Sequence, residues 1–186
     1  MVQISREELL KKYKQGESFS NLDLRNIDLS YENLKGADFS GANLTNAHLQ
    51  NANLEGANFT GACLENAFLF GANLRDACFD NSSLKDANLQ DTNLENSSFK
   101  NANLFHAKVF GVEAENANFE NADLSNGRLK RSNFKKANFK SANLTNAHLE
   151  RSDLRDANFD SAILIGAFFQ NAMFKGNEIK GIDIDK

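Results

Sequence analysis

A pair of apolar residues recurs every five positions along almost the whole chain, with a small residue two places before a large one. The large residue, or centre, stands at Phe19 and at every fifth position as far as Ile184, which makes 34 units without an insertion or deletion. A period of five matches neither the 3.6 residues of a helical turn nor the alternation of a long strand. The pattern therefore predicts very short extended segments, each followed by a corner.

The positions of phenylalanine indicate how many segments make one turn. Among the centres, phenylalanine returns every 20 residues, at Phe19, Phe39, Phe59, Phe79, Phe99, Phe119, Phe139 and Phe159. Four units therefore form one coil, and equivalent residues of successive coils stack about 4.8 Å apart, the spacing of hydrogen-bonded strands. The residue after each of these centres alternates in charge from Asp80 to Lys180, so opposite charges face each other between coils.

The units resemble the tandem motif A-[D/N]-[L/F]-x-x of the pentapeptide repeat family, as in ADFSG and ANLTN at positions 37–46. The resemblance covers residues 17–186, about nine tenths of the chain. It implies an all-β fold, a right-handed quadrilateral β-helix (solenoid) of about 8 coils with 20 residues per coil, in which the centre and the small residue point inward. Because one fold hosts many unrelated roles, the motif says little about function.

One coil departs from the motif. The small position becomes Val112 and the centre becomes Ala114, so that large and small residues are exchanged while the total volume is roughly kept. Phe119 and Leu124 resume in frame, which excludes an inserted loop. We expect a local bulge or a shifted wall at this coil.

The first sixteen residues carry the signals of a short helix. Ser5 followed by Glu8 forms a capping box, Ile4 and Leu9 are placed as a hydrophobic staple, and Gly16 stands where a helix would stop. The sequence thus predicts a helix from Ser5 to about Gln15. It divides the chain into a capping helix at 1–16, which covers the first coil, and a β-helix at 17–186.

Location and redox state follow from what the chain contains. The first 16 residues hold no apolar run of the kind a signal peptide has, and no stretch reaches the length of a membrane span. We expect a cytoplasmic protein that does not enter a membrane. Cys63 and Cys78 lie on different faces of the coil, which favours two free thiols over a disulfide or a metal site.

Catalytic chemistry finds little support. His48 and His148 occupy equivalent outward positions five coils apart, roughly 24 Å at the stacking distance, and no Cys or Ser stands near either in a nucleophile geometry. The sequence has no glycine-rich phosphate loop and no cluster of metal ligands. We predict a protein that is not an enzyme and that needs no cofactor.

Aromatic residues in outward positions are the most informative feature for binding. Four of them share the face that has Leu69 and Val109 among its centres, and a fifth lies on the adjacent face; the set is Phe68, Phe70, Phe110, Phe168 and Phe105. Several exposed apolar side chains aligned on one side of a protein commonly mark a partner site. We expect this surface to bind a protein partner.

The C-terminal coil predicts self-association. Core positions continue to the end of the chain as Met173, Phe174, Ile179, Ile182 and Ile184, with no helix after them. An open final coil exposes apolar side chains and unpaired strand edges. Symmetric dimerisation through this coil, which the family resemblance also implies, is the expected remedy.

Two functions remain open, and charge bears on both. Residues 17–126 hold 16 Asp and Glu against 6 Lys and Arg, whereas residues 127–186 hold 7 against 11. An interaction scaffold that presents a rigid rod to a protein partner is the favoured function. The alternative, implied by similar family members, is a DNA mimic that binds DNA gyrase and protects or inhibits it.

The distribution of charge favours the interaction scaffold over the DNA mimic. A rod of about 40 Å matches roughly 12 base pairs in length, but a mimic is expected to be acidic throughout. This chain turns basic at Arg128, Lys130, Arg131, Lys135, Lys136 and Lys140. No aromatic platform or groove motif accompanies these residues, which argues against nucleic acid as the partner.

Overall fold

A computed structural model describes residues 4–175 of the chain. It begins with one helix, α1 (Arg6–Lys14), and continues as a right-handed four-sided β-helix. The Ser5 side chain caps α1 by accepting a 3.2 Å hydrogen bond from the Glu8 amide. Three lysines lie in the last turn, where cations stabilise the helix dipole. The predicted helix is thus present with nearly the predicted bounds.

Helix α1 packs on the first coil. Leu9 is fully buried, and Ile4, Leu10 and Tyr13 are partly buried against the core. The Tyr13 hydroxyl donates a 2.8 Å hydrogen bond to the Lys35 carbonyl, which fixes the helix to the first coil of the solenoid. The helix therefore shields the first apolar layer from water.

Each coil pairs with the next through single residues. The residue before every centre forms a parallel bridge with the residue 20 positions later, from Asp23↔Asn43 to Asp153↔Met173. The residue two places after the centre turns the corner with positive φ, for example 58° at Asn46 and 66° at Gly56. Asn and Gly dominate these positions because they tolerate the left-handed conformation best.

The four walls are named here by their centres. Face 1 contains the Phe centres that begin at Phe19, and faces 2, 3 and 4 contain the centres that begin at Leu24, Leu29 and Leu34. On face 1, consecutive rings stack with centroids 4.7 to 5.2 Å apart. These columns, with the small residues between them, form one continuous core along the rod.

The asparagines that precede the centres are structural, as the sequence indicates. Asn43 Oδ1 accepts a 3.1 Å hydrogen bond from the Thr45 amide, and Asn58 Nδ2 donates to Asp38 Oδ1 of the preceding coil at 3.1 Å. Such bonds satisfy turn backbone and link neighbouring coils. These amides are consequently committed to the fold.

The expectation of a bulge at the exchanged coil is wrong. The bridges Lys108↔Arg128 and Glu113↔Asn133 continue the ladder in register, and Val112 and Ala114 are both buried. Because the exchange keeps the enclosed volume, the wall needs no extra residue. The departure lies in the hydrogen bonding of the corner.

Two buried serines rebuild that corner on face 3. An ordinary corner closes with a bond from the small residue's amide to the centre's carbonyl, such as Ala107 to Leu104 at 3.0 Å. Here the Val112 amide donates to Ser132 Oγ at 3.2 Å, and that hydroxyl donates to the Val109 carbonyl at 3.1 Å. Ser152 repeats the arrangement one coil further on, with bonds to the Ser132 amide and the Leu129 carbonyl.

The stacking of opposite charges predicted for face 1 is confirmed around Glu120, and face 4 contains pairs of the same kind. Lys35 and Glu55 pair at 2.9 Å on face 4, and Arg75 pairs with Glu95 further along. On face 1, Glu120 lies between two lysines of the adjacent coils, each 3.8 Å away. Each exposed ion pair of this kind contributes little to the stability of the fold. The pairs mainly determine which charged residues lie above one another in successive coils.

We expect the N-terminal coils to lose stability in acid. Asp38 accepts hydrogen bonds from the Ser18 hydroxyl, the Ser40 amide and the Asn58 amide, and these donors, Ser18 first, lower its pKa. A carboxylate whose pKa is lowered by folding adds stability above its unfolded pKa of about 4, and the contribution disappears as the pH falls through the folded pKa.

Urea unfolding of the wild type and Asp38→Asn at pH values from about 7 to about 3 measures this effect. The wild type is expected to be more stable than Asp38→Asn near neutrality, and the difference is expected to shrink as the pH falls. A difference that stays constant over this range would contradict the assignment of the effect to the Asp38 carboxylate.

Candidate protein-interaction surface

Face 3 carries most of the predicted partner-binding residues. Its outward positions lie directly before and after each centre, and they stack in two parallel columns along the rod. The column before the centres reads Asp28, His48, Phe68, Asn88, Lys108, Arg128, His148 and Phe168. The column after the centres reads Ser30, Gln50, Phe70, Gln90, Phe110, Lys130, Glu150 and Gln170.

An N-terminal aromatic patch is formed by Phe68 and Phe70. They flank one centre, and their exposed fractions are 39% and 41%. The ring of His48 stacks on Phe68 with centroids 4.8 Å apart, which holds the phenyl ring in place. This patch presents two large apolar side chains on a rigid wall.

Two further predicted residues lie under cations. Phe105, on face 2, is 36% exposed and has Lys85 Nζ 5.8 Å from its ring centroid. Phe110 is only half-buried, and the Arg128 guanidinium lies 5.2 Å from its centroid. Cations over a ring face are attracted by its quadrupole, so both rings form part of a mixed apolar and cationic surface.

Phe168 lies in the middle of a C-terminal apolar patch. It is 42% exposed, and its ring stacks on the ring of His148 with centroids 4.6 Å apart. Ile163 and Ile165 are exposed beside it on face 2. Five coils separate this patch from Phe68, which is roughly 24 Å. The structure therefore divides the predicted surface into two apolar patches.

Between and beside these patches lies a group of cations, which we call the cationic corner: Lys108, Arg128, Lys130, Arg131 and Arg151. Within residues 4–175, none of the five has a carboxylate in salt-bridge distance. Among the neighbouring cations on other faces, Lys136 pairs with Glu115 and Lys140 with Glu120, whereas Lys135 has no carboxylate in salt-bridge distance within the described residues. Arg155 likewise binds Asp153 through two nitrogens and lowers the pKa of that carboxyl.

Sequence reasoning missed two features of this surface. The basic residues from Arg128 to Lys140 were grouped by position along the chain, but a coil of 20 residues distributes them over three faces and pairs only some. The histidines were considered only for catalysis. Their spacing of 20 residues from Phe68 and Phe168 is the signal that places each on a phenyl ring.

The predicted self-association residues are only partly described. Met173 is half exposed and Phe174 is partly buried against the core, whereas Ile179, Ile182 and Ile184 lie outside the described residues. Ala162, Leu164 and Ala172 of the last described coils are also only partly buried. Dimerisation through this coil stays a prediction.

Neither a metal-ligand cluster nor a disulfide occurs among the described residues. Between Ile4 and Lys175, no three His, Cys, Asp or Glu side chains are grouped closely enough to hold a metal ion. Cys63 and Cys78 are free thiols. The described part of the chain also contains no helix with the length and hydropathy needed to cross a membrane.

A regular parallel ladder with four inward apolar columns and flat outer walls defines the class, a β-solenoid. The family model for pentapeptide repeats matches residues 18–49, 37–76, 77–112, 115–151 and 152–186. The chain belongs to the pentapeptide repeat family. Among curated protein sequences, none matches it significantly.

Solved structures supply relatives. HetL from the cyanobacterium Nostoc sp. strain PCC 7120, a pentapeptide repeat protein involved in heterocyst differentiation regulation, is 26% identical with a TM-score of 0.60, over 94% of this chain and 92% of that one. A pentapeptide repeat protein of the Arabidopsis thaliana thylakoid lumen is 29% identical with a TM-score of 0.39, over 64% and 66%. QnrB1, a plasmid-mediated fluoroquinolone resistance protein, is 15% identical with a TM-score of 0.40, over 80% and 92%.

Proposed function

We propose that this protein is a non-enzymatic regulatory scaffold that binds a protein partner through face 3. The observation that carries the proposal is the pair of aromatic patches on one flat wall, with Phe68, Phe70 and Phe168 each about two fifths exposed. Phe68 and Phe168 each stack on a histidine ring of the same column. The similarity to HetL, which is involved in heterocyst differentiation regulation, supports a regulatory role.

Rigidity makes such a surface effective. Burying one Phe side chain stabilises a complex by about 1.5–3 kcal/mol at most, and ordering a mobile side chain costs about 0.5–1.5 kcal/mol. His48 and His148 already hold Phe68 and Phe168 in place before a partner arrives. Less of the free energy gained by burying these rings is therefore lost to ordering them than on a surface with mobile side chains.

The unpaired cations of face 3 distinguish this function from DNA mimicry. A mimic must offer negative charge along its whole length, whereas the cationic corner interrupts the acidic surface over three coils. We also propose that the scaffold acts in the cytoplasm, which the free thiols of Cys63 and Cys78 support. We expect its partner to be a protein with apolar residues on its own contact surface.

Quantitative capture from native lysate tests the proposal. The wild type is compared with Phe68→Ser, Phe70→Ser, Phe168→Ser, whose changes are confined to exposed side chains of face 3. A matched control changes three outward residues of the opposite wall, Lys100→Ser, Glu120→Ser, Lys140→Ser, of which Glu120 is half-buried. Circular dichroism establishes that all three proteins are folded.

We expect one protein to be enriched by the wild type and the control and to be lost with the aromatic variant. The same protein, once purified, is expected to bind the three proteins in the same order. Equal capture by all three would reject face 3 as the binding surface. Capture of gyrase by all three would instead support the DNA-mimic function.

A further inference from the structure

Within residues 4–175, the cationic corner groups five cations without salt-bridge partners on three consecutive coils. Several other cations pair with carboxylates of adjacent coils, at Lys35–Glu55, Arg75–Glu95 and Lys136–Glu115. At the cationic corner, five cations on three consecutive coils have no such partner within the described residues. Like charges stacked at about 4.8 Å repel one another, so this arrangement costs stability unless an anion binds.

A cleft lies where these cations converge. It has a volume of about 230 Å³ and is lined by Lys130, Arg131, Glu150, Arg151, Gln170 and Asn171. Pockets that bind small molecules usually enclose about 300 to 1,000 Å³ and are lined mainly by apolar residues. A smaller, open and polar cleft suits the carboxylate side chains of a peptide better than a buried cofactor.

The backbone beneath the cleft is specially built. The hydroxyls of Ser132 and Ser152 replace the ordinary corner bonds and connect three successive coils. Arg131 and Arg151 stand directly before these serines, with φ angles of 57° and 61°. The serine bonds therefore fix the corner from which both arginines project.

The cleft also contains one carboxylate. Glu150 lies in its lining, and Glu150 Oε1 is 3.0 Å from His148 Nδ1. Glu150 Oε2 is buried and has no hydrogen-bond partner among the described residues. Three cations, Lys130, Arg131 and Arg151, share the lining with this single carboxylate, so positive charge predominates in the cleft.

Protein is favoured over nucleic acid as the source of the anion. Single strands bind by stacking bases on free aromatic faces, but Arg128 covers one face of Phe110 and His148 covers one face of Phe168, which leaves fewer faces for bases. Two apolar residues, Phe168 and Ile165, stay exposed at the C-terminal edge. This combination fits a segment that carries acidic residues beside apolar ones.

We propose that the cationic corner binds an acidic peptide segment of the protein partner. The carboxylates of the segment pair with Lys130, Arg131 and Arg151, and its apolar residues contact Phe168. This inference rests on the proposed function and specifies the chemistry of the partner recognised by face 3.

Fluorescence anisotropy with a labelled oligoglutamate peptide tests the inference on the full chain. The variant Lys130→Gln, Arg131→Gln, Arg151→Gln removes three cations of the corner. The control Lys11→Gln, Lys14→Gln, Lys135→Gln removes the same charge from α1 and face 4. Urea unfolding of both variants verifies that each is as stable as the wild type.

We expect the corner variant to bind the peptide about ten times more weakly than the wild type, since each exposed pair contributes modestly and three are lost together. The control is expected to bind within about twofold of the wild type, and added salt is expected to weaken all binding. Equal weakening in both variants, or no binding by the wild type at low salt, would overturn the inference.

A second arm uses a labelled single-stranded oligonucleotide with the same number of charges. Tighter binding of the oligonucleotide than of the peptide, with the same dependence on the three cations, would overturn the peptide in favour of nucleic acid. Failure in this assay leaves the capture experiment with the aromatic variant unaffected. Conversely, peptide binding that depends on the three cations can occur together with a capture experiment that enriches no partner. That combination of results would reject the aromatic surface as a partner site and leave the peptide site of the cationic corner standing.

Discussion

Phe79→Ala is expected to lower the free energy of unfolding by about 3–5 kcal/mol. The Phe79 ring is fully buried, and it stacks on Phe59 and Phe99 with both centroid distances 4.7 Å. Removing it leaves a cavity in the middle of the Phe column of face 1. The stacked rings on both sides are too far apart to close that gap.

The linear architecture gives this loss a second consequence. Each coil contacts only its neighbours, so the stability of a solenoid is close to a sum of coil and interface contributions. A cavity between the third and fifth rings of the column weakens two adjacent interfaces at once. We expect the single unfolding transition to broaden or separate into two, with the coils on either side of Phe79 unfolding separately.

Urea denaturation followed by far-UV circular dichroism, combined with hydrogen exchange of individual amides, measures both effects. Phe68→Ala is the matched control, because it removes the same side chain from a position that is 39% exposed. Its expected cost is about 1 kcal/mol or less. Similar losses in the two variants would mean that the Phe column does not carry the stability of the rod.

Ser152→Ala is expected to cost about 1–3 kcal/mol, although alanine is the common residue at this position of the repeat. Its hydroxyl donates to the Leu129 carbonyl at 2.9 Å and accepts from the Ser132 amide at 3.2 Å. Leu129 and Ser132 are both buried residues. The substitution therefore leaves the Leu129 carbonyl and the Ser132 amide without their hydrogen-bond partner. An unsatisfied buried polar group costs more than the lost bond alone.

Ser82→Ala supplies the control for this prediction. Ser82 is also a buried serine in the small position, and its hydroxyl donates to the Phe79 carbonyl at 2.6 Å. That carbonyl keeps a second donor, since the Ser82 amide binds it at 3.1 Å. We expect a change within about 0.5 kcal/mol.

Thermal and urea unfolding of the two variants give the comparison. A loss at Ser152 no larger than the loss at Ser82 would show that the corner reverts to the ordinary bond between an amide and the centre of its own unit. Such a result would remove the structural basis given for the positions of Arg131 and Arg151.

Local regularity explains why so much of the fold was predictable. The period of five, the return of Phe every 20 residues and the capping box at Ser5 each depend on residues close in sequence or at a fixed spacing. In a solenoid, fixed spacing determines spatial neighbours, so the sequence also identifies which residues stack. The inward columns, the helix and the charge ladders could therefore be predicted.

The corner at Val112 shows where that reasoning ends. The exchange of Val112 and Ala114 was visible in the sequence, but its outcome depends on a hydroxyl that lies one coil away at Ser132. On face 3, too, the exposure of a residue depends on a side chain of the adjacent coil. Phe110 was expected to be an exposed anchor, and its half-buried state follows from Arg128 of the next coil.

The sequence by itself determined the family, the solenoid with its helical cap, and the alignment of aromatic residues on face 3. Only the tertiary structure decided which cations are paired, which rings are covered and how one corner closes. The physical reason is that spacing specifies which columns adjoin, whereas pairing depends on the reach and orientation of long side chains between them. Those orientations separate the ion pairs around Lys35, Arg75 and Glu120 from the unpaired cations of face 3.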